Sequence, residues 1–159
     1  MVPNIKLSQM SKLVFSLILM VSTSIGFTQT PQIALVKPNG VTTLHSTILD
    51  AYNLASDDDY IYLPGGTFES FLPIEINKRL YIIGAGMNAD SSVVTGITRI
   101  HHLKFMNGAA GGSLEGVVIY SQVGNNSMSF GNLSGNTEDA ALYYTISNCA
   151  IYGWVDFYN

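Results

Sequence analysis

Cysteine, histidine and charged residues are all scarce in this chain of 159 residues. Cys149 is the single cysteine, so no disulfide can form within the chain. Charged residues make up 11% of the sequence, where soluble domains average roughly 25%. Three histidines, two of them adjacent, offer little material for a metal centre or a Ser-His-Asp triad. Stability must therefore come from packing and backbone hydrogen bonds, as it does in a stacked β-structure.

The segment 1–26 has the three-part layout of a secretory signal. Lys6 and Lys12 precede an apolar run, Leu13–Val21, and a stretch of small residues then leads to Gly26. The run is about half as long as a membrane-spanning helix, so we expect a cleaved signal peptide over 1–26 and not the alternative, an uncleaved anchor. The protein is therefore expected to be secreted or held at the cell surface, with no membrane span after signal removal.

Acidic residues outnumber basic ones, and signal removal would increase the difference. The chain has a formal net charge of −4, and the predicted signal contains two of its seven basic residues and none of its eleven acidic ones. Loss of those two positive charges would leave the mature chain more acidic still. Because no basic cluster opposes this balance, nucleic acid is excluded as a partner and anionic membrane surfaces are disfavoured.

The first structural elements are predicted after a linker. Residues 27–40 read as this linker and a first extended segment, Ile33–Val36, which a Pro-Asn-Gly turn closes. An amphipathic helix is predicted over Thr43–Ala55, with Thr42 or Thr43 as its N-cap. Its apolar residues recur at helical spacing: Leu44, Ile48, Ala51 and Ala55. Residues 41–159 are expected to contain this helix, as a cap, and the first coils of a repeating β-domain.

A repeat indicates how those coils are built. Two short apolar runs each end in a glycine turn, and alignment of the turns makes Tyr62 and Ile82 corresponding positions. The period that this alignment gives is typical of a solenoid, whose turns stack to bury a shared core. Strands are predicted over Ile61–Phe68, with a bend at Pro64, and over Leu72–Ile83, Val93–Val94 and Ile100–Met106.

A second internal match lies further along the chain. Leu114–Tyr120 aligns without a gap with Ile146–Tyr152. The sequence distance between these two segments is longer than the period of the first repeat. An insertion rich in Asn, Ser and Gly, Gly124–Asp139, explains the difference and is predicted to be a loop. In this register Tyr120 and Tyr152 lie one above the other in neighbouring coils.

The order of these elements resembles the opening coils of secreted proteins of the pectin-lyase-like class. Asp58–Phe68, DDYIYLPGGTF, matches the family phrase G-D-x-I-x-L-P-x-G-x-Y except for Asp in place of the first Gly and Phe in place of the final Tyr. The resemblance covers residues 33–159 and implies an all-β fold, a right-handed parallel β-helix whose N-terminal helix caps the stack. The chain stops just after a strand, so we expect a solenoid truncated at its C-terminus.

The resemblance also implies a function. Members of the class bind or process polysaccharide as lyases or glycoside hydrolases, with site aspartates and a basic residue in the middle coils. Those coils are largely missing here, so this chain alone is not expected to be active, and any bound calcium is expected in the missing coils. The alternative is a non-catalytic surface or adhesive β-solenoid with a structural or glycan-recognition role.

The last predicted strand carries the candidate sugar-contacting residues. Alternation directs Ile151, Val155 and Phe157 inward. The outward positions combine aromatic rings with a carboxylate, and Tyr120 would extend them; the candidates are Tyr120, Tyr152, Trp154, Asp156 and Tyr158. Aromatic faces stack on the C–H faces of sugars, while a carboxylate accepts hydrogen bonds from hydroxyl groups. The alternative is an ordinary outer sheet face covered by the 124–139 loop or by missing sequence.

Two polar clusters are not expected to bind metal. Asp57–Asp59 lacks the alternating pattern of calcium loops and is predicted to be a solvated turn. His101 and His102 are adjacent on a predicted strand, so they would point to opposite faces. His101 is expected at an inner or corner position and His102 in solvent. No metal site is predicted in this chain.

Three remaining features favour structural roles. Cys149 lies in an apolar stretch and is predicted to be a small buried residue rather than a nucleophile. Asn136–Asp139 faintly resembles the Asn-Thr-Asp motif of polygalacturonases, but Glu replaces the Asp and a turn is predicted. Glu115 is expected to act at the edge of a coil.

Overall fold

A computed structural model describes residues 32–68, 74–87, 96–120, 127–131 and 141–157. All of them belong to one compact unit, Pro31–Asn159. The predicted signal peptide, the predicted strand at Val93–Val94, the Asn136–Asp139 motif and Tyr158 lie outside the described residues. Within the described ranges, no helix has the length and apolar character needed to cross a membrane.

The described residues are mostly β-structure, as predicted. They contain one α-helix, α1 (Ile48–Leu54), and a short 3-10 helix, Asn107–Ala109. The strands are β1 (Ile33–Val36), β2 (Thr42–His45), β3 (Tyr60–Leu63), β4 (Gly66–Phe68), β5 (Ile74–Ile76), β6 (Tyr81–Gly84), β7 (Thr98–Ile100), β8 (Leu103–Phe105), β9 (Ser113–Glu115), β10 (Val118–Tyr120), β11 (Met128–Phe130), β12 (Thr145–Ser147), β13 (Ala150–Tyr152) and β14 (Val155–Phe157).

From β3 onward, consecutive strands belong to three different sheets in a fixed order, A, B and then C, which repeats along the chain. Sheet A takes β3, β6, β9 and β12, sheet B takes β4, β7, β10 and β13, and sheet C takes β5, β8, β11 and β14. Within each sheet, every pair of adjacent strands from β3 onward is parallel. We call each set of three consecutive strands a coil: coil 1 is β3–β5, coil 2 is β6–β8, coil 3 is β9–β11 and coil 4 is β12–β14.

The N-terminal strands β1 and β2 extend sheet A, and the helix that follows them is shorter than predicted. The extended segment Ile33–Val36 is confirmed as β1, which pairs antiparallel with β2 on one side and with β3 on the other. The helix begins only at Ile48, where the Thr47 side chain accepts a hydrogen bond of 3.0 Å from the Asp50 amide. The predicted N-cap at Thr42 or Thr43 is therefore wrong. Thr42–His45, which spans those candidates and the predicted start of the helix, is instead β2, because the Pro-Asn-Gly turn closes a hairpin and β-branched threonines suit a strand.

The predicted register of the first repeat is wrong by one position. Ile61 pairs with Ile82, and Tyr62 pairs with Ile83, so the interval in sheet A is one position longer than the glycine turns indicated. Such a shift moves a side chain to the opposite face of a sheet. Tyr62 is therefore exposed while Ile82 is buried, and the two do not share a face. The alternation itself is confirmed, since Ile61 and Leu63 are buried.

The second internal match is confirmed. Leu114 pairs with Ile146 in sheet A, and Tyr120 pairs with Tyr152 in sheet B. Each matched segment is two short strands joined by a tight corner. The corners begin with Gly116 and Asn148, which have positive φ angles of 67° and 51°, a conformation that glycine and asparagine tolerate best.

Other predicted elements are divided differently in the structure. Leu72–Ile83 and Ile100–Met106 were predicted as continuous strands, but each contains parts of two strands in different sheets. The predicted loop Gly124–Asp139 contains a strand, β11, whose residues are all buried. Such short strands leave too few positions for an alternating pattern to stand out, and their partners lie far away in the sequence.

The inward side chains of the three sheets form one hydrophobic core. In each sheet, residues at equivalent positions of successive coils lie next to one another, so the core is built from columns. Those columns include Ile61, Ile82 and Leu114 in sheet A, Ile100 and Ile119 in sheet B, and Ile76, Phe105 and Phe130 in sheet C. Ile48, Ala51 and Tyr52 of α1 join the same cluster. Each coil thus buries the apolar surface of its neighbours.

Candidate functional site

Four of the five predicted sugar-contacting residues are described, and they lie around the turn from sheet B to sheet C. Tyr120 and Tyr152 are the last residues of β10 and β13 and are paired in register. Trp154 lies in the turn that follows β13, and Asp156 is the central residue of β14. Paired strands are about 4.8 Å apart, so these residues from coils 3 and 4 share one region of the surface.

The exposure of these side chains differs. Tyr152 is 66% exposed and Trp154 is 76% exposed, whereas Tyr120 and Asp156 are partly buried. The Tyr120 ring packs edge-on against His101, with ring centroids 5.4 Å apart and an interplanar angle of 83°. The two accessible aromatic rings of the site are therefore those of Tyr152 and Trp154. We call the four residues together the corner site.

A buried serine holds the backbone of both exposed aromatic residues. The Ser127 hydroxyl donates a hydrogen bond of 2.7 Å to the Tyr152 carbonyl, and the Ser127 amide donates one of 3.0 Å to the Trp154 carbonyl. Ser127 is fully buried. Its contribution was missed because it lies in the segment predicted to be a loop. The alternation of Ser127, Met128, Ser129 and Phe130 is compatible with a strand, but four residues are too few for the pattern to indicate one.

The turn between the two aromatic residues depends on glycine. Gly153 lies between Tyr152 and Trp154 and has a φ angle of 134°, which residues with a Cβ atom rarely adopt. This conformation lets the chain leave sheet B and enter sheet C directly after β13. Tyr152 therefore lies at the end of a strand in sheet B and Trp154 in the turn to sheet C, whereas the sequence predicted them on one continuous strand.

The predicted inward residues of this segment point toward the core but differ in burial. Ile151 and Val155 pack against the hydrophobic cluster. Phe157 stacks on the buried ring of Phe130, yet 70% of its surface is exposed. Its exposure follows from its position in coil 4, because β14 pairs on one side alone within the described residues.

The prediction of a solvated turn at Asp57–Asp59 is wrong for Asp59. Asp59 is buried and accepts a hydrogen bond of 2.7 Å from the Lys37 ammonium group. Asp58 binds Arg79 through two hydrogen bonds of 2.6 and 2.7 Å, which lower the pKa of Asp58 below its usual value. These two aspartates are thus tied to basic partners, and across the described ranges no group of three or more His, Cys, Asp and Glu side chains could hold a metal ion.

His101 and His102 lie at the turn between β7 and β8 and not within one strand. Both are partly buried, and the Nε2 atom of each is buried without a hydrogen-bond partner. Burial lowers the pKa of His102. The expectation that His102 is solvated is therefore wrong, while the corner position expected for His101 is found.

Cys149 and Glu115 occupy structural positions. The Cys149 thiol lies 3.1 Å from the Ser147 carbonyl oxygen, and burial raises its pKa, so the thiolate that a nucleophile needs is disfavoured. Glu115 accepts a hydrogen bond of 3.1 Å from the side-chain amide of Asn148. This contact joins the sheet A to sheet B turns of coils 3 and 4, at the coil edge where the glutamate was expected to act.

Comparisons of the chain with protein-family models, with curated proteins and with solved structures each found no match. The interpretation of the corner site therefore depends on its own residues.

Proposed function

We propose that this chain is an exported right-handed parallel β-helix protein that binds polysaccharide through the corner site. The rotation of strands through sheets A, B and C over four coils supports this architecture. Connections between parallel strands of one sheet are right-handed in nearly all proteins, which favours that handedness. Helix α1 and the antiparallel pair β1 and β2 lie at the start of the stack, where a cap is needed.

One observation carries the binding proposal: two exposed aromatic residues, Tyr152 and Trp154, flank a glycine turn, and Asp156 follows on β14. Large apolar rings in solvent are available to stack on the C–H faces of sugars, and the acid can accept hydroxyl hydrogen bonds. The hydrogen bonds from Ser127 hold the backbone of both rings in place before any ligand arrives. Such preorganisation reduces the entropy lost on binding.

The spacing of carboxylates on the outer face of sheet C favours binding over hydrolysis by these coils. Glu75, Lys104, Ser129 and Asp156 occupy equivalent positions in coils 1 to 4. Glu75 and Asp156 are thus three strands apart, or about 14 Å at the usual strand spacing. Glycoside hydrolases place their two carboxyl groups about 5 to 9.5 Å apart. Between these two carboxylates, the position in register with Glu75 is occupied by Lys104, which forms an ion pair with Glu75 at 2.8 Å.

The second candidate function is a non-catalytic surface or adhesive protein, and the same carboxylate spacing favours it. In a lyase or hydrolase, residues other than these described positions of sheet C would have to supply the acids and the base. In an adhesive protein, the corner site would be sufficient as it stands. The two candidates therefore share the binding site and differ in whether the bound glycan is cleaved.

Trp154 is the single tryptophan of the sequence, so tryptophan fluorescence reports on the corner site directly. The purified chain is titrated with neutral and acidic oligosaccharides, with and without calcium, while fluorescence is recorded. Reducing ends and unsaturated products are assayed in parallel to detect hydrolysis or lyase cleavage. We expect at least one glycan to change the Trp154 emission, without product formation.

A variant and its control complete the test. Trp154→Ala should weaken glycan affinity at the corner site by at least about tenfold, measured by calorimetry. Tyr143→Ala removes an aromatic side chain that is 91% exposed and should bind as the wild type does. If no glycan in the panel changes the emission, or if Trp154→Ala binds as well as wild type, the corner site does not bind polysaccharide.

A further inference from the structure

Three tyrosines form a second aromatic surface, on the outer face of sheet A. Tyr60 and Tyr62 lie on β3, and Tyr81 pairs with Tyr60 from β6. The rings of Tyr60 and Tyr81 stack with centroids 4.8 Å apart and an interplanar angle of 27°. The rings of Tyr60 and Tyr62 lie 6.3 Å apart at an angle of 14°. Tyr60 therefore stacks with both of the other rings, and we call the three residues the tyrosine surface.

These rings lie outside the hydrophobic core. Tyr60 is 36% exposed and Tyr62 is 43% exposed, whereas their neighbours along the strand, Ile61 and Leu63, are buried. Core packing therefore explains the aliphatic positions of β3 and leaves the aromatic ones unexplained. Because Tyr62 and Tyr81 stack on Tyr60, the group can offer a sugar the ring edges, the hydroxyl groups and the faces of Tyr62 and Tyr81 that do not contact Tyr60.

The charges around the tyrosine surface indicate which glycans it suits. Lys37 and Arg79, the basic residues next to β1 and β6, are each paired with an aspartate, at 2.7 and 2.6 Å. Glu115 is exposed in the same sheet, in register with Ile83 next to Tyr62. An acidic polysaccharide would meet this carboxylate and a chain of net negative charge without gaining a new cationic partner from Lys37 or Arg79.

We propose that the tyrosine surface is a second saccharide-binding site and that its ligand is a neutral glycan chain. The inference rests on the proposed function in one respect, that the protein binds polysaccharide. It differs in location, because the tyrosine surface lies on sheet A of coils 1 and 2, whereas the corner site lies between sheets B and C of coils 3 and 4. Two sites on one chain would increase the avidity for a polymer that reaches both.

The test compares variants of the two sites by calorimetry, with cellohexaose and mannohexaose as neutral probes and hexagalacturonate as the acidic one. Tyr60→Ala combined with Tyr62→Ala should weaken binding of a neutral hexasaccharide to the Trp154→Ala protein by at least about tenfold. Tyr60→Phe with Tyr62→Phe keeps the rings and should lose less than about threefold. Tyr143→Ala, an exposed tyrosine outside both sites, should lose nothing.

A second measurement does not depend on the folding of a variant. Tyrosine nitration of the wild-type protein is mapped by mass spectrometry with and without the neutral glycans. Bound glycan should protect Tyr60 and Tyr62 and leave Tyr143 as reactive as before. Thermal unfolding followed by circular dichroism identifies any variant that has lost its fold.

The outcomes separate the two proposals. If neutral glycan binds and depends on Trp154 alone, with no protection of Tyr60 and Tyr62, the tyrosine surface is not a site and the corner site stands. If hexagalacturonate protects the tyrosines better than the neutral probes do, the neutral class is wrong. If none of the glycans binds anywhere, both proposals fail.

Discussion

The ring of Phe157 stacks on the ring of Phe130, with centroids 5.0 Å apart and an interplanar angle of 6°. Phe130 stacks in turn on Phe105 at 5.2 Å. The three residues are in register on the inward side of sheet C, so each of coils 2, 3 and 4 contributes one ring to a continuous column. The stability that each ring contributes should therefore depend on whether it has neighbours on both sides.

Phe130 and Phe157 provide the direct comparison. Phe130→Ala leaves a cavity between two rings and should lower the free energy of unfolding by about 3 to 5 kcal/mol. Phe157→Ala should cost about 1 kcal/mol, because most of that ring is already in water. Chemical denaturation measures both. Equal costs for the two variants would contradict the view that the core is built by stacked coils.

Tyr144 carries a buried polar group without a partner. Its ring packs against Phe105 with centroids 4.3 Å apart, and its hydroxyl is buried with no hydrogen bond. Burial accordingly raises the pKa of Tyr144. Tyr144→Phe keeps the ring and removes the unsatisfied hydroxyl, so it should increase the free energy of unfolding by about 1 kcal/mol.

The matched control is Tyr52→Phe. The Tyr52 hydroxyl donates to the side chain of Asn77 and accepts a hydrogen bond of 3.2 Å from the Asn77 amide. Its removal should lower the free energy of unfolding by about 1 kcal/mol. Destabilisation of both variants to the same extent would mean that the Tyr144 hydroxyl has a partner in solution.

Ser127 should affect both stability and glycan binding. Ser127→Ala removes the hydrogen bond to the Tyr152 carbonyl and should cost about 1 kcal/mol of unfolding free energy. It should also weaken the binding that Trp154 fluorescence detects, because the turn that carries Tyr152 and Trp154 becomes less ordered. Ser127 is thus expected to be a positioning residue that acts through its neighbours.

Thr98→Val is the control for this effect. The Thr98 hydroxyl is buried, accepts a hydrogen bond of 2.8 Å from the Ala85 amide and donates one of 3.0 Å to the Pro64 carbonyl. It joins coils 1 and 2 in the way that Ser127 joins coils 3 and 4. The variant should lose stability and keep the Trp154 response to glycan. Loss of the response in both variants would assign the effect of Ser127 to general destabilisation.

The pH dependence of stability should depend on His102. Burial lowers its pKa below the ordinary value of 6.5, and the positive charge of Lys104 acts in the same direction. The unfolded chain therefore binds the proton more tightly than the folded one. The contribution of neutral His102 to the free energy of unfolding is fully present above the unfolded-state pKa of about 6.5, and it is lost as pH falls through the lower folded-state pKa. Unfolding free energies are measured between about pH 7.5 and about pH 5, above the range in which carboxylates titrate.

His102→Gln removes this titration, so the slope of unfolding free energy against pH should be shallower than in the wild type. An unchanged slope in the variant would show that other groups cause the pH dependence.

Local patterns allowed several parts of the fold to be predicted. Alternation over Tyr60–Leu63 identified the buried and exposed faces of β3, and a direct alignment placed Tyr120 beside Tyr152. The exposure of Tyr152 and Trp154 also followed from alternation. These predictions succeeded because each needs the residues of one strand, or two segments of equal length that repeat the same pattern.

Other features were decided by contacts between residues distant in sequence. Ile61 pairs with Ile82 because both must enter the same core, and counting between glycine turns missed this register by one position. The strand Met128–Phe130 is defined by partners on both sides, in β8 and β14, rather than by its own short sequence.

The corner site divides in the same way. The sequence by itself determined which aromatic and acidic residues the last segment contains and which of them alternate. The tertiary structure decided that a buried serine of the preceding coil holds the backbone of two of them and that a glycine turn separates these two at the passage from sheet B to sheet C. The physical reason is that parallel strands pair across long sequence intervals, so the hydrogen bonds and packing that orient a side chain exist only once the coils have stacked.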